Sequence, residues 1–421
     1  MSEDIFDRLL ANTLEQKNAT VRRIVEEGQL YDRVCTRQRG RQIEIDGRWL
    51  TDFASCNYLG LDLHPDVIAS VQRTVSEWGT HPSWARMACS PVLYEELEEK
   101  LARLLGTEDA LVLPTISLIA VGLIPALVKK GDVILADKFV HKVNHDGCRL
   151  ARDMCKAELA SFRHDDLARL EELLVHYSDR DTRLIVIDGV LSVTGRIPAL
   201  KAILRLAREH DALVYIDDAH GFGVLGEAPD DAMPWGYKGN GVVAHLGEGY
   251  DNVIYVSGLS KAYSSLAAFV ACPTRLKRAL KCNITSYIVS GPVPFASLAS
   301  ALAGLELNEI HGDEWRATLH SYTTQIIEAY RERGIRTDND NGFPIVSAYV
   351  GSPEAVMRGG QLLFEEGYYV TLQSYPLVPI DQGVLRATPT VSNTADEVRG
   401  LIDAMEHTVR TLEAEGLTPK R

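Results

Sequence analysis

Residues 212–221 read ALVYIDDAHG, five apolar residues followed at once by two aspartates and, after one alanine, a histidine. A short, uninterrupted apolar run is typical of a strand in a parallel sheet that helices cover on both faces. Functional groups in such sheets gather at the edge where the strands end. Asp217 and His220 are therefore expected at that edge, where ligands bind.

Runs of the same kind recur along the chain, separated by stretches of helix length. One of these, Pro198–His210, places its apolar residues on a single helical face, as a crossover helix requires. The alternation predicts an α/β fold, with a mostly parallel sheet and helices on both faces. The predicted strands are Ala110–Leu113, Val133–Ala136, Leu184–Ile187, Leu213–Ile216, Val253–Val256 and Phe269–Ala271.

The chain of 421 residues is longer than a single compact core usually grows, so we expect one large and one small domain. An N-terminal arm over residues 1–55 is predicted to hold an amphipathic helix over 3–27 and a hairpin turn at Asp46-Gly47. Residues 56–294 are the predicted large domain. Residues 295–421 are predicted to form a small α+β C-terminal domain.

The pattern inside the small domain differs from that of the large one. Strand-like segments at Pro344–Val350, Tyr368–Leu372 and Leu385–Thr388 are followed by a final helix. That helix opens with Thr394-Ala-Asp-Glu397, the signature of a capping box.

Composition and charge exclude several classes of protein. Hydrophobic residues make up 46% and charged residues 24%, as in an average soluble domain, and no apolar run is long enough to cross a bilayer. The acidic start of the chain does not resemble a secretory signal, so a cytoplasmic protein is expected. The net charge of −14 is spread out, which argues against nucleic acid as a partner. Seven scattered cysteines predict neither a disulfide framework nor a zinc site.

A lysine follows another of the predicted strands. The run Val253–Val256 continues as SGLSK and so ends at Lys261. A lysine just past a buried strand, near a carboxylate and a histidine, suits pyridoxal 5′-phosphate (PLP), because the amine binds the aldehyde and the carboxylate keeps the ring nitrogen protonated. Taken singly, Asp217 could be a helix cap, His220 a core residue and Lys261 a solvated side chain. Together, in an α/β context, they predict a PLP site.

The order of these motifs along nearly the whole chain resembles the α-oxoamine synthases, a family of fold-type I PLP-dependent enzymes. The string Asp-x-Ala-His-Gly-x-Gly-x-Leu-Gly over residues 217–226 is specific to that group. The landmarks are Asn57-Tyr-Leu-Gly-Leu61 with His64-Pro65, Glu96-Leu-Glu98, Asp137-x-x-x-His141, Asp188-Gly-Val-Leu-Ser192, residues 217–226, Ser260-Lys261-Ala262, and Arg386 before the last helix.

The resemblance implies a role for each matching residue of the ring site. Lys261 would be the Schiff-base lysine and Asp217 the partner of the ring nitrogen. His220 would donate a hydrogen bond to the ring hydroxyl, with Ser192 close to the same hydroxyl. His141 would stack on the outer face of the ring.

The cofactor phosphate is implied to sit at a helix N-terminus, where backbone amides point outward. The matching stretch is Thr115-Ile116-Ser117, directly after the first predicted strand. Relatives usually carry a threonine three residues before the lysine, where this chain has Gly258. Ser257 and Ser260 are both candidates to replace that threonine. The resemblance also implies a homodimer in which Ser290 of the partner subunit adds a phosphate ligand.

The resemblance further implies an acyltransferase reaction, in which an amino acid attacks an acyl thioester and loses CO2 to give an α-aminoketone. Arg386 matches the arginine that grips the substrate carboxylate, a task suited to a planar guanidinium, and Asn57 is a second candidate substrate ligand. Lys261 would act as general base and His141 would polarise the thioester carbonyl.

This chain departs from relatives in two segments that lie around their substrates. It has His141-Lys142-Val143 where they have His-Ala-Ser, and Ser83–Pro91 also differs. These changes favour a specialised biosynthetic pathway. They leave open the amino acid, and whether the acyl donor is a coenzyme A or a carrier-protein thioester.

Three other functions stay open on the sequence alone. An aminotransferase would use the same lysine, aspartate and arginine. A PLP-dependent lyase or decarboxylase would act on one substrate without an acyl donor. A non-catalytic subunit of a larger complex is the third, and the presence of Lys261 argues against it.

Two further motifs resemble other binding sites. Residues 221–226 match the dinucleotide fingerprint GxGxxG, but Glu227-Ala-Pro-Asp follows where a helix is required, so no nucleotide is predicted there. His141 and His145 have the spacing of metal ligands, but they lack the glutamate of an HExxH motif, and no metal is predicted.

Overall fold

The computed structural model of the protein describes residues 4–10, 33–375 and 377–418. The chain divides into two compact units: Asn57–His320, and the described parts of Met1–Cys56 together with Ser321–Arg421. The domain boundaries expected from the sequence at residues 55 and 294 stay predictions. Within the described ranges, no helix combines the length and the apolar composition needed to cross a membrane.

Strands and helices are numbered separately in chain order. The strands are β1 (Cys35–Arg39), β2 (Gln42–Ile45), β3 (Arg48–Asp52), β4 (Asp109–Leu113), β5 (Val133–Asp137), β6 (Glu158–Phe162), β7 (Arg183–Asp188), β8 (Leu213–Asp217), β9 (Val253–Gly258), β10 (Ala268–Cys272), β11 (Val346–Gly351), β12 (Tyr368–Tyr369), β13 (Thr371–Gln373) and β14 (Gly383–Ala387). The helices are α1 (Ile5–Leu9), α2 (Pro65–Trp78), α3 (Val92–Leu105), α4 (Ile116–Ala126), α5 (Lys142–Cys155), α6 (Leu167–His176), α7 (Leu200–Glu209), α8 (Val242–His245), α9 (Thr274–Asn283), α10 (Thr285–Ile288), α11 (Phe295–Glu332), α12 (Pro353–Glu365) and α13 (Ala395–Ala414).

A seven-stranded sheet forms the centre of the unit Asn57–His320, in the order β4-β10-β9-β8-β7-β5-β6. Within the described sheet only β10 runs antiparallel, and it lies between β9 and β4. The other strands are parallel, so β4, β5, β7, β8 and β9 all end at one edge. The prediction of a mostly parallel sheet is confirmed, and all six predicted strands are present.

Strand β6 was not predicted, and its position explains why. It lies at the end of the sheet, paired only with β5, and most of its residues are not fully buried. An edge strand that is partly solvated needs no continuous apolar run. Its sequence, ELASF, consequently carries no signal of the kind that marks the buried strands.

Close packing of α5 on α4 depends on Gly147. A Cβ atom at this position would lie 2.5 Å from the carbonyl oxygen of Ala120 and 2.9 Å from the Ile124 side chain. A side chain there would push the two helices apart. Glycine therefore allows α5 to lie deep against the sheet, so that residues in its first turn reach the ends of the strands.

The second unit is an α+β structure, as predicted for the C-terminal residues. β1, β2 and β3 form an antiparallel meander to which β12 adds in parallel, and β11, β14 and β13 form an antiparallel sheet. The predicted hairpin turn at Asp46-Gly47 joins β2 to β3, and the predicted capping box at Thr394 and Glu397 opens α13.

Two expectations for this unit differ from the structure or lie beyond it. The segment Tyr368–Leu372 was predicted as one strand, but it divides into β12 and β13, which belong to different sheets. The amphipathic helix expected over residues 3–27 is described only at Ile5–Leu9, and the rest of that prediction lies outside the described residues.

Candidate PLP site

Lys261 lies three residues beyond the end of β9, in the turn that leads back to β10. The turn is closed by backbone hydrogen bonds from Ser264 N to Lys261 O at 2.9 Å and from Leu259 N to Ala267 O at 2.8 Å. Ser264 adopts a positive φ of 49° to complete it. Lys261 is half-buried at the carboxyl edge of the sheet, where the sequence predicts it.

The N-terminus of α4 lies against this turn. Thr115 caps the helix, with its hydroxyl accepting a hydrogen bond from Leu118 N at 3.2 Å. A Cβ atom on Gly258 would lie 3.7 Å from Ile116 Cβ and 3.5 Å from Ser260 Oγ. The first amides of a helix attract anions. The N-terminus of α4 therefore lies close to Gly258, the last residue of β9 before the lysine turn.

The two candidate serines differ in what surrounds them. Ser257 is fully buried within β9, and its hydroxyl donates to the carbonyl oxygen of Asp218 at 3.1 Å. Ser260 lies beyond the strand and is exposed. Its Oγ atom would lie 3.5 Å from a Cβ atom placed on Gly258. Of the two, Ser260 is the one that lies near the helix terminus.

Asp217 lies at the end of β8, paired in register with Asp188 at the end of β7. Both carboxylates are buried. Asp217 Oδ1 accepts from Ala219 N at 3.1 Å, and its Oδ2 accepts from Asn144 Nδ2 at 2.8 Å. Asn144 Nδ2 also lies 3.1 Å from Asp188 Oδ1. The carboxylate of Asp217 is therefore held in a fixed position at the edge where Lys261 lies.

Asp218, the next residue, has a different and structural environment. Its Oδ2 accepts from Tyr255 OH at 2.7 Å and from Val242 N at 2.8 Å, so it ties β9 and the start of α8 to the end of β8. Burial raises the pKa of Asp218 to about 7 from an ordinary value of 3.8. Hydrogen bonds from Tyr255 and Val242 only partly oppose this effect.

Replacing Asp218 by asparagine is expected to change how stability depends on pH. Between about pH 4 and about pH 7 the folded chain keeps a proton on Asp218 that the unfolded chain releases, so the free energy of unfolding falls as pH rises through this window. Asparagine does not titrate, so Asp218→Asn should remove this decline, which is on the order of a few kcal/mol. Urea unfolding of both proteins at pH 5 and pH 8 measures it. An unchanged difference between the two pH values would contradict the pKa assignment.

His220 is held by Tyr58. The phenol oxygen of Tyr58 lies 2.8 Å from His220 Nδ1, and Tyr58 is fully buried. A hydroxyl that donates to Nδ1 places the proton of the neutral imidazole on Nε2. The contact with Tyr58 holds the plane of the His220 imidazole.

His141 follows β5 and caps the N-terminus of α5, and its amide donates to Asp188 Oδ2 at 2.9 Å. Its side chain reaches the surface, but the protein packed beneath it lowers the pKa of the imidazole. The negative charge of Asp217 opposes this shift, and the positive charge of Lys261 adds to it. His141, Asp217 and Lys261 therefore share one electrostatic environment.

Three other predicted residues lie in the same unit. Asn57 Oδ1 accepts from Ser264 Oγ at 3.3 Å, which joins it to the lysine turn. Ser192 lies in the turn after β7, at the same edge of the sheet. Ser290 lies just beyond α10, where its hydroxyl donates to Gly291 O at 3.0 Å.

Arg386 belongs to the other unit. It lies in β14 and is mostly buried. Its Nη2 lies 3.4 Å from Thr371 Oγ1 and 3.8 Å from Cys56 Sγ. Thr371 Oγ1 in turn donates to Ala54 O at 3.2 Å. Thr371 and Cys56 thus both contact the guanidinium.

The glycines of the GxGxxG match have a packing explanation. Gly223 has a φ of 87°, and a Cβ atom there would lie 2.6 Å from Ala262 Cβ, next to Lys261. A side chain at Gly226 would meet the carbonyl oxygen of Tyr237. Residues 227–241 hold turns and one bridge, and the next helix begins at Val242. The fingerprint therefore lacks the helix that binds a pyrophosphate.

His145, the second residue of the metal-like pair, lies 3.3 Å from the carbonyl oxygen of Lys138 through its Nε2 atom. Across the described ranges, no group of three or more histidine, cysteine, aspartate or glutamate side chains is arranged to hold a metal ion.

Sequence reasoning did not identify Asn144 or Tyr58 as site residues. Tyr58 could have been found, since it lies inside the landmark beginning at Asn57. No sequence pattern marks Asn144 as a site residue, because it contacts Asp188 and Asp217 only once the sheet has formed. Their separations along the chain are 44 and 73 residues.

A lysine and an aspartate at one edge of a seven-stranded, mostly parallel sheet, near a helix N-terminus, match the arrangement predicted for a PLP-dependent enzyme of fold type I. A family model described as aminotransferase class I and II matches residues 49–405. A putative 8-amino-7-oxononanoate synthase of Desulforudis audaxviator is 35% identical over 366 residues, which cover 86% of this chain and 90% of the relative. The 8-amino-7-oxononanoate synthase of Chromobacterium violaceum is 34% identical over 388 residues, covering 90% and 96%.

Solved structures show the same fold. Serine palmitoyltransferase of Sphingomonas wittichii superposes with a TM-score of 0.87 at 24% identity, covering 99% of this chain and 100% of that one. The 8-amino-7-oxononanoate synthase of Francisella tularensis gives a TM-score of 0.72 at 23% identity, covering 87% and 99%. The chain belongs to the aminotransferase class I and II family and, within it, to the α-oxoamine synthases. The family predicted from the sequence motifs is confirmed.

Proposed function

We propose that the protein joins an amino acid to an acyl thioester, with loss of CO2 and release of the free thiol, to give an α-aminoketone, with PLP as its cofactor. The observation that carries the proposal is the lysine turn at the sheet edge, which lies against the N-terminus of α4. That edge also holds Asp217 and His220, each fixed by a hydrogen bond of 2.8 Å.

Each residue of this edge has a task toward the cofactor. Lys261 would hold the PLP aldehyde as a Schiff base, and the bound cofactor would supply an electron acceptor for the pair released at Cα once the amino acid has taken the place of Lys261. Asp217 stabilises the proton on the ring nitrogen, and His220 donates to the ring hydroxyl from the nitrogen that does not face Tyr58. His141 covers the outer face of the ring, and Ser192 lies beside the ring hydroxyl.

The phosphate is proposed to bind at the amides of Thr115, Ile116 and Ser117, with Ser260 as the hydroxyl ligand. Ser260 takes the place of the threonine that relatives carry where this chain has Gly258. We also propose a homodimer in which Ser290 of the partner subunit adds a ligand. Sedimentation of the purified protein tests the oligomeric state, and a monomer at micromolar concentration would exclude that part of the proposal.

The remaining tasks concern the substrates. Arg386 binds the substrate carboxylate through its planar guanidinium, with Asn57 as a second substrate ligand. Once the amino acid has displaced it, Lys261 is a free amine and takes the α-proton. His141 polarises the thioester carbonyl. The departures at residues 83–91 and 142–143 support a role in a specialised pathway.

Replacing Ser260 by alanine is expected to weaken PLP binding by about tenfold to a hundredfold, because a hydrogen bond to a charged group is worth about 1.5 to 3 kcal/mol. Ser257→Ala is the matched control. It removes a hydroxyl that donates to a backbone carbonyl and should leave the PLP affinity unchanged. Fluorescence titration of the apoprotein with PLP measures both. Equal losses in the two variants would contradict the choice of Ser260.

A second variant tests the same site by gain of function. A Cβ atom at Gly258 would lie 3.5 Å from Ser260 Oγ and 3.7 Å from Ile116 Cβ, both ordinary contact distances, so the position accepts the first atom of a side chain. In the Ser260→Ala background, Gly258→Thr should restore PLP affinity. Gly258→Val, which has the same shape without the hydroxyl, should not.

The reaction is tested on the PLP-loaded protein with each of the twenty amino acids, with and without a series of acyl-coenzyme A and acyl-pantetheine thioesters. Free thiol, CO2 and the aminoketone mass are measured together. Equal amounts of all three, appearing only with both substrates present, support the proposal. Conversion of PLP to pyridoxamine phosphate by an amino acid alone would identify an aminotransferase. CO2 released without a thioester would identify a decarboxylase.

A further inference from the structure

Asn144 occupies a position between two carboxylates that the roles assigned above do not explain. Its side chain is fully buried in the first turn of α5. Its Nδ2 atom lies 2.8 Å from Asp217 Oδ2 and 3.1 Å from Asp188 Oδ1, and its Oδ1 accepts from Tyr215 OH at 3.3 Å. An amide nitrogen has two hydrogens, so each carboxylate receives one.

This network permits one orientation of the Asn144 amide. If the amide were rotated by 180°, its oxygen would face two carboxylate oxygens, and its nitrogen would face the hydroxyl of Tyr215. Three favourable contacts would be replaced by two that are repulsive and one that needs the phenol to accept instead of donate. Asn144 is thus a fixed donor aimed at Asp217.

We propose that Asn144 is a positioning residue that holds the Asp217 carboxylate in place and aims it at the ring nitrogen of PLP. The inference rests on the proposed role of Asp217. A hydrogen bond donated to an ionised carboxylate favours the charged form. Without that donor, the buried carboxylate would lose a partner that stabilises its charged form and fixes its position, and it would stabilise a proton on the ring nitrogen less well.

The neighbouring carboxylate, Asp188, adds to the need for a hydrogen-bond donor at this position. Burial raises the pKa of Asp188 well above its ordinary value, and the nearby charge of Asp217 raises it further. The His141 amide and Asn144 oppose this rise without cancelling it. Both effects disfavour a second negative charge next to Asp217, and Asn144 is the side chain that contacts both carboxylates.

The consequence for the reaction lies in the strength of the ring as an electron acceptor. A protonated ring nitrogen is what allows the Cα electron pair to be stabilised. Asn144→Leu has a similar volume but no donor, and it should slow exchange of the amino acid α-hydrogen with solvent by about tenfold to a hundredfold, the range for losing one hydrogen bond to a charged group.

The test uses a readout other than turnover: the nitrogen-15 resonance of ring-labelled PLP in the loaded protein. In Asn144→Leu this resonance should move from the position of a protonated pyridine toward that of an unprotonated one. Asn144→Ser, which is too short to reach both carboxylates, provides a second variant if leucine prevents folding. Tyr215→Phe removes only the group that orients the amide, so it should cause a smaller displacement in the same direction.

Two further variants separate the possible outcomes. His145 follows Asn144 on α5, and its side chain lies 3.3 Å from the Lys138 carbonyl oxygen through Nε2, so His145→Ala should not move the resonance. If Asp217→Asn moves the resonance and the Asn144 variants do not, the inference about Asn144 is wrong while the role of Asp217 stands. If Asp217→Asn itself has no effect, the proposed role of Asp217 fails.

Discussion

Lys261→Ala is expected to abolish the visible absorbance band of the PLP-loaded protein and to reduce turnover on the order of 10⁴-fold, the upper range for a positioned general base. The loss should be this large because one amine has two tasks: it binds the cofactor aldehyde, and it later takes the α-proton. Absorbance spectra and thiol release by the same preparations measure the two effects.

A matched lysine is available as the control for this experiment. Lys142 begins α5 beside His141, but it is exposed and pairs with Asp146 on the surface. Lys142→Ala should keep the band, because this lysine is not the one that binds the cofactor aldehyde. A band that survives in Lys261→Ala, or that is lost equally in both variants, would show that the cofactor is held elsewhere.

The fold was largely predictable because its central strands are buried on both faces. A strand such as β8 must be apolar at every position, so five consecutive apolar residues identify it directly. β6 was missed because a partly exposed edge strand is under no such constraint. The segment 368–372 was read as one strand because nothing in its composition marks the break at Val370 between two sheets.

The site was predictable where a residue directly follows a strand. Asp217 and Lys261 were found in this way, since parallel strands end at a common edge. Asn144 could not be found, because its contacts join a helix to two strands far away in the chain. The sequence also could not indicate which of Ser257 and Ser260 is the better candidate for the phosphate ligand. That proposal depends on which hydroxyl already donates to a backbone carbonyl.

The two adjacent aspartates at the end of β8 allow the sharpest test of the site. Asp217→Asn should slow exchange of the amino acid α-hydrogen in heavy water on the order of 10² to 10³-fold, the range for losing one preorganised electrostatic partner. Asparagine is neutral, so it cannot stabilise a protonated ring nitrogen. It also turns either an oxygen or an amide hydrogen toward Asn144, which offers only a donor on that side.

Asp218→Asn is the control, since both residues are buried and the two changes are chemically identical. Asp218 binds Tyr255 and Val242, and burial already raises its pKa to about 7, so a neutral side chain reproduces its protonated form. We expect proton exchange close to that of the parent protein, while its stability changes with pH as described above. Asp217 and Asp218 are both buried but have different hydrogen-bond partners. A large loss of proton exchange in Asp217→Asn alone would therefore show that the exchange depends on the carboxylate that Asn144 contacts. Similar losses at both positions would mean that any polar change at this strand end disturbs the site, and the assignment of Asp217 would fail.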